Sequence, residues 1–149
     1  MIKSPIVYTA GLLRTRGDRI STEDWIWLDA MAGQQLFYPP NVAGWDDSRW
    51  LDTATWRGRW WIAQYVLEPF ALDPAHAVEP YDAKALLDRA LAFWRRPALG
   101  ADTRRALVTF AQRALGDAKG ASWKRQQYPV LVLNALRHLI AVSPELQAA

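Results

Sequence analysis

The sequence predicts an all-α protein, a compact irregular bundle of about six or seven helices with a rigid Pro-Pro loop. Three observations carry this expectation. Helix start signals recur along the chain, in the form of Ser, Thr or Asp caps followed by proline or acids. Apolar residues follow those caps at helical spacing, and no segment sustains period-2 alternation. Val130-Leu131-Val132-Leu133 is the one run a buried strand could use, and the helix formers after it outvote that reading.

Taken in order, Ser4-Pro5 reads as cap and first helical residue, with Ile6, Ala10 and Leu13 on one face and Gly17 as the stop. Ser21 or Thr22 caps a second helix whose first turn holds Glu23 and Asp24, complementing the helix dipole. Its stripe is Trp25, Leu28 and Ala32, and Gly33 ends it. Ser48 opens a short turn through Trp50. Asp52 or Thr53 caps a third helix to about Leu67, with Trp56, Trp60, Ala63 and Leu67 on a single buried face. Pro69 stops it, and residues 68–81, with Pro69, Pro74 and Pro80, read as loop.

In the second half, Asp82 caps a helix through Trp94, with Leu86, Leu87, Ala90, Leu91 and Trp94 inward and Pro97 beyond. Asp102 starts another, with Leu107, Phe110, Ala111 and Ala114 inward and Gly116 after it. Residues 117–122 read as a polar turn. Pro129 opens the last long helix, in which Leu133, Leu136, Leu139 and Ile140 face inward, and Ser143-Pro144-Glu145 caps a final turn.

Between the second and third helices stand Phe37-Tyr38-Pro39-Pro40-Asn41-Val42-Ala43-Gly44-Trp45. The prolines fix φ at their own positions and push Tyr38 and Pro39 toward extended geometry. Gly44 frees the backbone before a large indole. Such a loop holds one shape at little entropic cost and is expected to pack across the bundle, presenting Asn41 and Trp45 in fixed directions.

Composition narrows the function classes. With 149 residues, 51% of them hydrophobic and nine of them tryptophan, the chain reads as a single helical domain over 1–149 with a sizeable core. The net charge of +3 comes from basic residues scattered among acids, so no polybasic tail or nucleic-acid stripe is present. Cysteine is absent, which removes disulfides and thiolate chemistry. No apolar run reaches the roughly 18 residues of a membrane span, and the first residues lack a signal peptide's apolar core. Compartment stays open on these grounds.

Catalytic chemistry finds little support. Asp46, Asp47 and Asp52 cluster beside Arg49, as a pair of hydrolytic carboxylates would, but helix capping already explains their positions. His76 and His138 are the only histidines and stand far apart, so no metal or cofactor is expected. Ser4, Ser21, Ser48 and Ser143 all sit at caps, and the glycines read as isolated helix stops. The tryptophans divide. Trp25, Trp56, Trp60 and Trp94 fall at core spacing, whereas Trp27, Trp45, Trp50, Trp61 and Trp123 fall off the stripes, near Arg49, Arg57 and Arg59.

Three stretches identify a resemblance. They are Ile2-Lys3-Ser4-Pro5 leading to Leu13-Arg14; Gly33 through Trp45 with Trp50-Leu51 and Arg59; and Leu136 through Ile140 with Ser143-Pro144-Glu145. Together they resemble the C-terminal third of bacterial proteins in the domain-of-unknown-function family numbered 1800, on the signature Gln-x-Leu-Phe-x-Pro-Pro-Asn-Val-x-Gly-Trp. The resemblance implies a C-terminal fragment of a longer architecture, whose N-terminal part carries a histidine- and aromatic-rich motif that is missing here. Asp46 and Asp47 depart from the family pattern and inherit no role from it.

Two functions follow as expectations. The first is a helical scaffold or interaction module without catalytic machinery in this chain. Its partner is a second copy or the missing N-terminal region, docking on Ile6, Leu12, Leu13 and the off-stripe tryptophans. The alternative is a hydrolase-like or glycan-binding site around the Pro39–Trp45 loop, formed by Asn41, Trp45, Trp50 and Arg59. Arg59, whose guanidinium offers five donors in a planar fork, is expected to be tied to that loop.

Overall fold

A computed structural model describes residues 1–17, 19–70, 82–117 and 122–148. Seven α-helices run through them: α1 Pro5–Arg16, α2 Thr22–Met31, α3 Thr53–Leu67, α4 Ala83–Phe93, α5 Ala101–Asp117, α6 Ser122–Ala141 and α7 Pro144–Gln147. Among the described residues there is no strand, only the isolated bridges Ile2 to Ala148 and Asn41 to Gly44. The chain divides into two units, residues 1–66 with 146–149, and residues 67–145.

In the first unit the caps sit where local chemistry puts them. The Ser4 hydroxyl accepts from the Val7 N–H, the Ser21 hydroxyl from the Asp24 N–H, and Gly17 closes α1 in the left-handed conformation at φ +83°. Tyr8, Leu12 and Leu13 of α1, Leu28 and Ala32 of α2, and Ile62, Ala63 and Val66 of α3 form the core. Leu12 and Leu13 are therefore buried, at 4% and 6% exposed, and are not the free surface for a partner that was expected of them. The third helix is rotated from its expected setting. Its buried face is Gly58, Arg59, Ile62, Ala63, Val66 and Leu67, so Ala63 and Leu67 of the expected stripe are buried, but the face centres roughly 90° around the axis from Trp56 and Trp60 at 3.6 residues per turn. Trp60 is 40% exposed and Trp56 half-buried.

Gly58 explains the rotation. A β-carbon there would stand 2.1 Å from the Met31 carbonyl oxygen and 2.7 Å from the Ala32 nitrogen. The backbones of α2 and α3 thus meet at the one residue without a side chain, and the indoles are turned aside. Gly58 is a contact point rather than a helix stop.

The second unit packs α4 against α5 and α6, and α5 against α6. Asp82 accepts from the Ala85 N–H to start α4, and Leu86, Leu87, Ala90, Leu91 and Trp94 are all buried. From α5 come Leu107 and Ala111, while Phe110 lies 36% exposed, and Gly116 falls inside the helix. From α6 come Val130, Val132, Leu133, Leu136 and Ile140. The last long helix does not begin at Pro129; it begins at Ser122, with Pro129 in its interior. Proline there removes one helical hydrogen bond, a local cost outweighed by burying Pro129 and Val130. The Val130–Leu133 run is helical for the same reason. The Trp94 indole N–H donates to the Arg137 carbonyl at 2.8 Å, and the Arg137 guanidinium lies 4.5 Å from the Phe93 ring centre. Glu145 accepts from the Gly100 N–H at 2.8 Å, just ahead of α5. The expectations for Pro74, His76 and Pro80 fall outside the described residues, as does the side chain of Trp123.

Candidate functional site

The loop between α2 and α3 is built by short-range chemistry. Gly33 and Gly44 take φ of +94° and +93°, angles that suit glycine. The Asn41 side-chain oxygen accepts from the Ala43 N–H at 2.8 Å, and the Gly44 N–H donates to the Asn41 carbonyl at 3.1 Å. Asn41 therefore uses its side chain to shape the turn. Gln34, buried, anchors the start of the loop by accepting from the Ile6 N–H at 3.2 Å. Phe37 sits at φ +60°, an uncommon setting for a bulky side chain.

The loop does not pack across the bundle as expected. Residues 37–43 are all exposed; Phe37 is 88% exposed, Tyr38 74%, and Val42 fully so. Only at Gly44 and Trp45 does the chain return to half-burial. The prolines explain this. With no N–H at Pro39 or Pro40 and a tight 41–44 turn next, the segment satisfies its own backbone and stands in water without penalty.

Arg59 is the most informative of the candidate residues. It is fully buried, yet among the described residues its guanidinium has no carboxylate partner. Nε donates to the Trp50 carbonyl at 3.0 Å, one terminal nitrogen to the Gln147 side-chain oxygen at 3.0 Å, and the other to the Lys3 carbonyl at 2.6 Å. The guanidinium also lies 5.0 Å from the Tyr8 ring centre. Burial pushes its pKa down, while the planar fork stays charged. The Lys3 ammonium donates to the Leu146 carbonyl at 2.9 Å, and the Lys3 N–H donates to the Gln147 carbonyl at 2.8 Å. One side chain thus ties the segment after the loop to Lys3 and to Gln147. No periodicity argument finds this, because an arginine on the buried side of a helix reads as a flaw in the stripe.

Of the four candidates, the structure brings Trp50 and Arg59 together through the Trp50 carbonyl. Asn41 stays apart on the exposed turn, and Trp45 lines a cleft that includes neither Trp50 nor Arg59. The covered indole N–H groups of Trp45 and Trp50 find no acceptor among the described residues. Below the loop, Asp46 accepts from the Ser48 hydroxyl and N–H at 2.6 and 3.0 Å, and Asp52 from the Thr55 and Ala54 N–H groups at 3.0 and 2.9 Å. The Ser48 donors hold the Asp46 carboxyl below its usual range, and chiefly the Thr55 N–H does so for Asp52. Both are capping carboxylates, and both stay ionised near neutral pH.

A different acid departs the other way. Asp29 of α2 is fully buried, and burial raises its pKa. Thr9 and Trp25 reach toward its carboxylate without a well-formed hydrogen bond among the described residues. The described residues hold no cluster of three metal-ligating side chains, and no described helix is long and apolar enough to cross a membrane.

A loop of this build, an internal arginine tie and an all-helical frame define a helical domain in which the loop acids Asp46 and Asp52 serve as caps. By sequence the chain belongs to the family described as "Protein of unknown function (DUF1800)", whose model matches residues 1–148. No curated relative and no solved structure matches it.

Proposed function

We propose that this chain is a non-catalytic interaction module, and that the Phe37–Val42 stretch of the loop is the surface through which it meets another protein segment. The observation that carries the reading is the exposure of Phe37, Tyr38 and Val42 on a turn whose backbone is already satisfied. Large apolar side chains clustered in water favour association, at roughly 25 cal/mol per Å² of area covered. A pre-shaped loop also loses little entropy on binding. The partner is a second copy of the chain or, where the protein extends upstream, the preceding region expected of longer family members.

Chemistry elsewhere supports a scaffold. A general acid needs a raised pKa, and the carboxyls at this loop are held low. Arg59 and Asn41, the polar groups a hydrolytic site would use, spend their hydrogen bonds on the fold.

A photoreactive phenylalanine at position 37 tests this reading. Irradiation is expected to trap a peptide of a second copy or of the upstream region. The same probe at the exposed Gln64 supplies the background. Cross-linking from position 37 no stronger than from position 64 would contradict the proposal.

A further inference from the structure

A cleft of about 450 Å³ opens beside the loop, walled by the end of α2, the loop itself and the start of α3. Its volume falls in the roughly 300–1,000 Å³ range of small-molecule sites. We propose that this cleft binds a neutral polyhydroxylated ligand, a sugar ring or short glycan, against the rings of Trp45 and Tyr38.

The walls supply both aromatic surface and hydrogen-bonding groups. Trp45 and Tyr38 supply aromatic surface, Asp46 and Asp52 acceptors, Arg49 a donor, and the Gln35 amide both. The charges select the ligand class. An anion entering the cleft meets two carboxylates, and the Arg49 guanidinium offsets one of the two charges that would draw a cation. A neutral polyol suits both at once, because each hydroxyl donates to a carboxylate and accepts from the guanidinium. Its apolar C–H face lies on an aromatic ring while its edge makes hydrogen bonds.

The acceptors are also fixed before any ligand arrives. Asp46 Oδ1 is bound by Ser48, and Asp52 Oδ1 by Ala54 and Thr55, which locks both carboxylates and leaves each Oδ2 as the second acceptor. Arg49 Nε lies 3.8 Å from Asp52 Oδ2, longer than a hydrogen bond, so neither group is saturated by the other. Acceptors held in place cost little to order on binding. This inference rests on the cleft below Trp45 and the protein contact on Phe37 and Val42; Tyr38 serves both, so the sugar titration followed at Trp45 and the cross-link from position 37 tell their failures apart.

The test is a 1H–15N titration of the whole chain with two neutral sugars, cellotetraose and N-acetylchitotriose, and two charged probes, spermidine and citrate. At least one sugar is expected to shift the Trp45 indole and the Gln35 and Arg49 amides at concentrations of about 1–10 mM, with the charged probes at least tenfold weaker. Trp45→Ala is expected to weaken sugar binding about tenfold. Tyr38→Ala, at an exposed site that folding does not need, is expected to weaken it about threefold and covers the case in which the Trp45 variant unfolds. Overturning results are silence from both sugars up to about 20 mM, charged probes binding as tightly as the sugars, or sugar shifts that persist unchanged in Tyr38→Ala.

Discussion

Gly58 meets the Met31 carbonyl so closely that a β-carbon on it would stand 2.1 Å from that oxygen. Because the clash is with backbone, no side-chain rotation relieves it, and α2 and α3 must separate to admit even a methyl group. Gly58→Ala is therefore expected to destabilise the protein by about 2–4 kcal/mol despite alanine's better helix propensity. Gly11, also helical but with nothing within 4 Å of its virtual β-carbon, is the control. Gly11→Ala should stabilise by about 0.5–1 kcal/mol. Thermal melts of the two variants should move in opposite directions.

Arg59→Lys keeps the charge and loses the fork. A single ammonium cannot reach the carbonyls of Trp50 and Lys3 and the Gln147 side chain with the same geometry. The expected cost is about 2–4 kcal/mol, read as a lower midpoint in a urea titration. Faster amide exchange at residues 2–4 and 147–148 should accompany it, since Arg59 holds Lys3 and Gln147 directly. A midpoint equal to wild type would contradict the three-way tie.

Asp29 sets a pH dependence of known sign. Its folded pKa is raised by burial, so the native state binds a proton more readily than the unfolded chain. That contribution is fully present below the unfolded carboxyl pKa and is lost as pH rises through the folded value. Asp29→Asn should therefore gain stability relative to wild type at pH 7, and the gain should shrink as pH falls toward the ordinary carboxyl range. Melts across that window check it. A difference between the two proteins that does not change with pH would exclude an ionising, buried Asp29.

In the second unit, Trp94→Phe keeps the aromatic volume nearly intact but deletes the donor to the Arg137 carbonyl. Loss of that one donor is expected to cost about 0.5–1.5 kcal/mol. Urea denaturation should show the loss with little change in helical circular dichroism.

Local signals were legible in the sequence and non-local ones were not. Ser4, Ser21 and Asp82 cap helices where their spacing to the next apolar residues placed them, since a cap needs only three residues of context. Gly33 and Gly44 announced positive φ in the same way. The start of α6 was hidden because proline's local preference was outweighed by tertiary burial of Pro129 and Val130. A tie from Arg59 toward the loop was expected from its planar fork, but its reach to Lys3 and Gln147 and the outward turn of Trp60 were hidden because they depend on where α2 touches α3, which Gly58 decides. Of the candidate site, the fixed loop was readable from Pro39, Pro40 and Gly44. Its exposure was not, because apolar Phe37 and Val42 read as residues seeking a core.

The central claim is that this loop is a contact surface, and light scattering of the isolated chain across concentration tests it most directly. Phe37→Ser/Val42→Ser changes two exposed side chains and should leave the unfolding free energy within about 0.5 kcal/mol of wild type. The wild-type chain is predicted to pass from monomer to dimer as concentration rises, a symmetric pair being the commonest closed assembly, and the double variant to remain monomeric. A wild-type chain that stays monomeric up to its solubility limit, or a double variant that dimerises as readily, would contradict the account.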